Sequence, residues 1–393
     1  MSDLGATPRP APPAVQIGPL TVSPPVVLAP MAGVTNAPFR RLCRRYGDGL
    51  FVSEMIMAKA LVEGNDRTEK MVRFEPDEPV RSIQLYGVNP HDVGEAARRL
   101  VGEDRVDHID LNFGCPAVKV TRKGGGAAVP VHRPLLRSIV AAAVAATAPA
   151  GIPLTVKFRM GIDDQHENYL DTGRIAEDEG AAAVALHARS AEQHYAGAAH
   201  WDAIAQLKQH VTSIPVLGNG DILDGADALR MMAETGCDGV VVGRGCLGRP
   251  WLFRDLADAF SGRGTAPSPS LAEVVVVLRE HAALLVDWFG PVKGPRETRK
   301  HVGWYLKGFP IGSDARRELA MVSSLADLDV LLAALLSRVD GSIRLSPDDA
   351  RIVRGHTNGP RKVVLPEGWL DHVDDATPPA ELDTSAGLVM SGG

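Results

Sequence analysis

The 393-residue sequence is poor in cysteine and in aromatic side chains, and several signals are missing altogether. Its four cysteines stand at 43, 115, 237 and 246, with no C-x-x-C pair among them. That excludes the ligand spacing of a zinc ribbon or an iron–sulfur cluster, and no metal site is expected. So few thiols in so long a chain suit a reducing cytoplasm better than a disulfide scaffold. The longest apolar stretch, 139–150, is Ala-rich and contains Thr147 and Pro149. It is too short for a bilayer span of roughly 20 residues, so no membrane partner is expected. The beginning of the chain is proline-rich from Pro8 and has no apolar segment of the signal-peptide kind. No G-x-G-x-x-G follows the first β-branched run, which weakens a Rossmann reading. An apolar fraction of 45% rules out a disordered chain, and a net charge of −6 has the wrong sign for a typical nucleic-acid binder.

What is present is a regular alternation. Short β-branched runs at 26–29, 51–53, 82–85, 108–111, 154–158, 183–186, 215–217 and 239–242 alternate with helical patterns such as 37–46, 90–101, 134–147, 170–179, 201–209, 225–234 and 250–260. Eight strand–helix units in about 235 residues predict an α/β fold, a closed (β/α)8 TIM barrel, with an open doubly wound sheet as the competitor. Residues 261–270 read as a linker, followed by helical patterns at 271–289, 296–307, 316–323 and 326–339. The expected organisation is a flexible lead-in (1–24), the barrel (25–262), a small C-terminal helical domain (270–345) and a loosely ordered acidic tail (346–393).

Polar residues interrupt the apolar runs at their C-terminal ends, the face on which barrels carry active sites. The first run leads into Pro30-Met31-Ala32-Gly33, whose small residues let backbone pass close to a flat ligand, although an ordinary turn looks the same. The third contains Gln84, whose amide offers a donor and an acceptor to a heterocycle edge. The fourth continues into Asp110-Leu111-Asn112-Phe113-Gly114-Cys115-Pro116. A thiol with an ordinary pKa of about 8.5 is protonated at neutral pH and can donate a proton, the competing reading being a small buried hydrophobe. Lys119, Arg122 and Lys123, ending in three glycines, read as a mobile cationic loop. Lys157 and Arg159 share one strand face, and two cations pointing into a barrel call for an anionic ligand. His187, with Arg189 after it, serves either a cofactor or the structure. Gly218-Asn219-Gly220-Asp221 and Gly243-Arg244-Gly245 end the last two runs, the recurrent phosphate site of barrels. A phosphate-bearing flat ring edged by Gln84 and Lys157, with a proton donor opposite, is the set a flavin needs.

The segments APMAGVTNAPFRRLC (29–43), IQLYG (83–87), DLNFGCPAVKVTRKGGGAA (110–128), VKFRMG (156–161), NGDI (219–222), GRGCLGRPWLF (243–253) and RETRKHVGWYLKGFP (296–310) resemble the tRNA-dihydrouridine synthases, specifically the bacterial B-type enzymes. The resemblance covers about 15–340 and differs at His187-Ala188-Arg189-Ser190, where the family usually has H-G-R-T, and at Val118, where a basic residue is common. It implies an FMN-binding barrel and a helical tRNA-binding domain that together reduce uridine in tRNA. NADPH is the transient reductant, hydride goes to C6 of the uracil, and Cys115 protonates C5. It places FMN contacts on Pro30, Met31, Ala32, Gln84, Lys157, His187, Asn219, Gly220, Asp221, Gly243 and Arg244, and the uracil edge on Asn112 and Arg159. The target base has to leave its stack to reach the site.

At helical periodicity Arg296, Arg299, Lys300 and Lys307 gather in one arc, and only Glu297 interrupts the cations from Lys293 to Lys307, a basic stripe suited to tRNA phosphates. The acid is elsewhere: residues from Ser346 onward carry a net −4 of the total −6. A monomer is expected. Two alternatives remain at this point, an FMN barrel acting on a free pyrimidine such as dihydroorotate and a non-catalytic tRNA-binding protein.

Overall fold

The computed structural model describes residues 14–355 and 359–379; the first part of the expected lead-in and the last part of the expected tail lie outside the described residues. A hairpin, β1 (Val15–Ile17) and β2 (Leu20–Val22), precedes the barrel strands β3 (Val26–Leu28), β4 (Leu50–Met57), β5 (Ser82–Tyr86), β6 (His108–Phe113), β7 (Leu154–Arg159), β8 (Ala183–His187), β9 (Val216–Asn219) and β10 (Gly239–Val242). The last eight are parallel and close on themselves in chain order, β10 pairing with β3. This is a TIM barrel. Closure gives every strand two neighbours and two covered faces, so the runs read as nearly continuous Val, Ile and Leu. A register shift between Val52 and Met55 lets β4 run past 51–53 to Met57.

The hairpin corrects the flexible lead-in over its described part. Val15, Ile17 and Val22 are buried in one cluster with Val27, Ala29, Leu50, Val52, Ala183, Ala185, Leu217 and Val241, on or just after five barrel strands. A proline-rich composition hid two three-residue strands whose alternate residues seal the barrel.

Beyond the barrel, helix Leu271–Phe289 starts at a capping box between Ser270 and Glu273 and packs on helix Lys293–Tyr305. Helices Ser313–Leu319 and Leu325–Arg338 complete a C-terminal helical region with its own core, including Leu278, Val302, Tyr305, Leu306 and Leu332. Phe39 of the barrel layer meets the rings of His281 and His301, which seats these helices against the barrel.

The described tail is likewise ordered, against expectation. After the short helix Pro347–Ala350, Arg354 is buried and donates to the carbonyls of Trp304, Ala350 and Ile352. Further along, Trp369 is buried in the barrel core cluster. The tail shows no periodicity because a few anchors hold it, not a repeating face. Among the described residues no helix is long and apolar enough to cross a membrane, and no group of His, Cys, Asp and Glu is placed to hold a metal.

Ile17 has no exposed surface. Ile17→Ala is expected to lower the unfolding free energy by about 2–5 kcal/mol in denaturant titration. A loss below about 0.5 kcal/mol, the range of neutral surface changes, would exclude the hairpin from the core.

Candidate active site

Strand register assembles the site. Across β5, β6 and β7, Ser82 pairs with His108, Gln84 with Asp110, and Asp110 with Thr155. Arg159, His187 and Asn219 are consecutive partners across β7, β8 and β9. Above these rows, at the C-terminal ends of the strands, lies a cavity of about 480 Å³. It is lined by Pro30, Met31, Ala32, Gln84, Asn112, Cys115, Lys157, Arg159, His187, Asn219, Gly220, Asp221, Gly243 and Arg244. A volume of this size suits a cofactor or other small ligand.

One hydrogen-bonded chain runs from the barrel interior to the cysteine. The Ser82 hydroxyl meets His108 Nδ1 at 2.8 Å, and His108 Nε2 meets the Thr155 hydroxyl at 3.0 Å. Thr155 donates to Asp110 (2.6 Å), which also accepts from Gln84 Nε2 (2.7 Å). Gln84 Oε1 accepts from Asn112 Nδ2 at 2.7 Å. Asn112 Oδ1 then accepts from the backbone N–H groups of Gly114 and Cys115, at 3.0 and 2.9 Å. Burial pushes Asp110 up to about 6, opposed by its bonds from Thr155 and Gln84 and by the Lys157 charge. Burial pushes His108 down to about 3. The alternation His108-x-Asp110-x-Asn112 carried the signal for this row in the sequence, but only Asn112 was read as functional. Asn112 was placed on the uracil edge; in the structure its amide oxygen shapes the turn that presents Cys115.

Cys115 is half-buried at the mouth. Burial raises its thiol above the ordinary range, opposed by the Ala117 backbone N–H and by the charges of Arg159 and Lys119, so it holds its proton at neutral pH. The segment after it is not the expected loose loop: Val118–Thr121 is a helical turn, and Gly126–Val131 is a 3-10 helix.

Lys157, Arg159, Arg189 and Arg244 surround the cavity with two carboxylates, Asp110 and Asp221, as counter-charges. Arg159 donates to the carbonyls of Gly114, Ser190 and His194. Asp221 was read as a cofactor contact, yet its carboxylate accepts from Arg189 (2.6 Å), Arg244 (3.2 Å) and the Ala199 N–H (2.7 Å). It orients two cations, and a second anion is better met by them than by Asp221. Asn219 is similarly engaged, accepting from Lys157 Nζ at 3.0 Å and donating to the Val241 carbonyl. Burial and the four surrounding cations hold His187 well below its ordinary value, so the ring is neutral. Arg189 and Tyr195, whose ring lies under the Arg244 guanidinium at 4.5 Å, were not among the expected site residues. The first was legible as a second cation after His187; the second had no sequence signal.

The basic stripe divides. Lys293 sits over the Phe289 ring at 4.3 Å and lines a second cavity of about 450 Å³ with Arg67, Lys70, Arg73 and Trp288; Arg296 is exposed. Arg299 instead donates to the carbonyls of Val322 and Met321, and Lys300 to Glu297 at 2.6 Å. Periodicity places side chains on a face but does not show that an arginine there turns back to loop carbonyls.

Burial, with Arg159 beside it, pushes Lys157 down to about 8 from the ordinary 10.5. Between these values the folded protein has released this proton and the unfolded chain still binds it, so the unfolding free energy rises with pH across that window. The excess of the wild-type slope over that of Lys157→Met is the expected measure, by denaturant titration from pH 8 to 10.5. Identical slopes would show that Lys157 is not held buried.

The family described as dihydrouridine synthase matches residues 27–339. A Mycobacterium tuberculosis protein named "Probable tRNA-dihydrouridine synthase" is 55% identical over 94% of this chain and 96% of its own length. The Mycobacterium leprae protein of the same name is 53% identical over 93% of this chain and 100% of its own. The tRNA-dihydrouridine synthase B of Xanthomonas axonopodis is 40% identical over 84% and 97%. With a match that spans nearly the whole barrel and helical region, and relatives identical at more than half of the aligned positions, this chain belongs to the dihydrouridine synthase family.

Proposed function

We propose that the protein reduces the 5,6 double bond of uridine in tRNA, with FMN as bound cofactor and NADPH as the reductant. The observation that carries this reading is the Cys115 thiol, which burial favours in its protonated form, at the rim of a cavity with more buried cations than carboxylates. The residues present fit FMN. Arg189 Nη1 is buried with no partner among the described residues, so the cluster retains an unmet donor for an anion. Gly220 has φ +132°, and a Cβ there would lie 2.6 Å from Ala199 Cβ; at Gly243 the nearest atom to a Cβ is 3.5 Å away, so the missing side chain opens backbone to the cavity. Gly220, Gly243 and Arg244 would hold the phosphate, Pro30, Met31 and Ala32 would face the ring, and Lys157 would offer its edge a positive charge.

FMN, when bound, supplies the hydride, derived from NADPH, that goes to C6 of the uracil. Cys115 holds the proton that goes to C5. Arg159 and Lys119 favour the thiolate left behind, which takes a proton back from solvent. Arg159, fixed by three carbonyls, would meet a uracil oxygen. The neutral His187 adds no further charge beside the ring. For the tRNA itself, the second cavity shares Ala32 and Met55 with the first and carries Arg67, Lys70, Arg73 and Lys293, a cationic route from the helical region to the site. The names of the relatives support tRNA over a free pyrimidine.

Cys115→Ala is expected to retain flavin absorbance and NADPH oxidation while dihydrouridine formation falls by about 10²–10⁴-fold, the usual worth of a general acid. Mass spectrometry of nucleosides from treated tRNA measures this. An unchanged yield would remove Cys115 from the mechanism.

A further inference from the structure

The acidic composition of the tail conceals a cationic segment that returns to the site. After the helix Pro347–Ala350, Arg351 pairs with Asp224 and Asp227 at the start of helix Gly225–Thr235. Lys307 Nζ donates to the Val353 carbonyl at 2.6 Å. Gly355 and Arg361 then line the same cavity as Cys115. The Arg361 backbone N–H donates to the Glu192 carbonyl at 2.8 Å, on the loop that carries His194 and Tyr195. Farther on, Trp369 stacks on His132 with ring centroids 3.8 Å apart and planes 12° off parallel. Trp369 Nε1 donates to the Ala128 carbonyl (2.9 Å), and the Trp369 carbonyl lies 2.8 Å from His132 Nε2. A Cβ on Gly124, in the segment after Cys115, would lie 2.6 Å from the Trp369 ring. The Arg133 N–H donates to the Val373 carbonyl at 3.2 Å.

The tail therefore crosses the barrel mouth from the helix after β9 to the segment after β6, anchored on both sides. Between the anchors, Arg361 is exposed at the cavity rim, and its guanidinium has no hydrogen bond or ion pair among the described residues. Its neighbours spend their charge inward: Arg351 and Arg354 are tied to carboxylates and carbonyls. An arginine held by its backbone, with its fork free at the mouth of a site that receives a nucleotide, fits a phosphate. Its exposed position at the rim sets it apart from the glycine turns assigned to the cofactor phosphate.

We propose that the described residues 347–355 and 359–379 form a strap across the barrel mouth, and that Arg361 on it is a substrate-positioning residue that holds a backbone phosphate of the tRNA. This rests on the tRNA reading above. The strap gives the barrel a phosphate contact that the helical region does not provide; Lys293 lines the adjoining cavity, not this one.

The test is tRNA binding to the flavin-loaded protein, measured from 50 to 200 mM salt, with thermal melting alongside. Loss of one phosphate contact is expected to weaken binding and to make the slope of log K against log salt shallower by about one in Arg361→Gln. Arg361→Lys should restore the slope, and neither change should move the melting temperature. In a Trp369→Ala background, where the strap is released, Arg361→Gln should cause no further change. An unchanged slope in Arg361→Gln, or its full effect persisting after Trp369→Ala, overturns the proposal. A variant that loses FMN yet binds tRNA as the parent does assigns Arg361 to the cofactor and overturns it too. The unsubstituted protein is assayed first. If it neither binds nor modifies tRNA, the functional reading fails and this one with it. If it does both, an unaltered Arg361→Gln sinks the strap alone.

Discussion

The hydrogen-bonded chain Ser82–His108–Thr155–Asp110–Gln84–Asn112 is the constraint on which the site depends. Its members come from three adjacent strands, so barrel closure in this register is what creates it. Donation along the chain converges on Asp110 from both sides. Asp110 can only accept, which makes Thr155 and Gln84 donors; Gln84 then has its oxygen free for Asn112, and Asn112 has its oxygen free for the Cys115 turn. A buried network is stable when each member is satisfied, and a half-satisfied one is costly. The position of the cysteine is thus transmitted from the barrel interior, and its N–H is held without any contact from the ligand side.

The cations obey a second requirement. Lys157, Arg159, Arg189 and Arg244 are held by carbonyls, by Asn219 and by Asp221, which leaves more positive than negative charge around one cavity. Burying charge is tolerated only with partners, so the excess calls for an anionic ligand. Burial keeps both His187 neutral and the Cys115 thiol protonated, and the charge of Arg159 adds to the first effect while opposing the second.

The helical region and the tail complete the mouth from outside the barrel. The helices place Lys293 in the adjoining cavity, and the tail lines the first through Gly355 and Arg361 before Trp369 docks on His132. Composition pointed the wrong way here, since acidic residues dominate the count while the arginines hold the contacts. Average charge says little about a segment whose few cations are bound and placed.

The eight strands, the helices between them and the polar strand ends that line the cavity were legible in the sequence. These depend on local order: β-branched runs, helical periodicity and the positions where polar residues interrupt them. Cys115, Lys157 and Arg159 stood out for the same reason. What only the tertiary structure decided was the use made of each polar group. Asn112 and Asp221 orient other protein groups, Arg299 ties down a loop, the hairpin seals the barrel, and the tail returns to the cavity. Each of these outcomes is a choice of partner across strands or between distant segments, and such choices are made by closure and packing, which no stretch of neighbouring residues encodes.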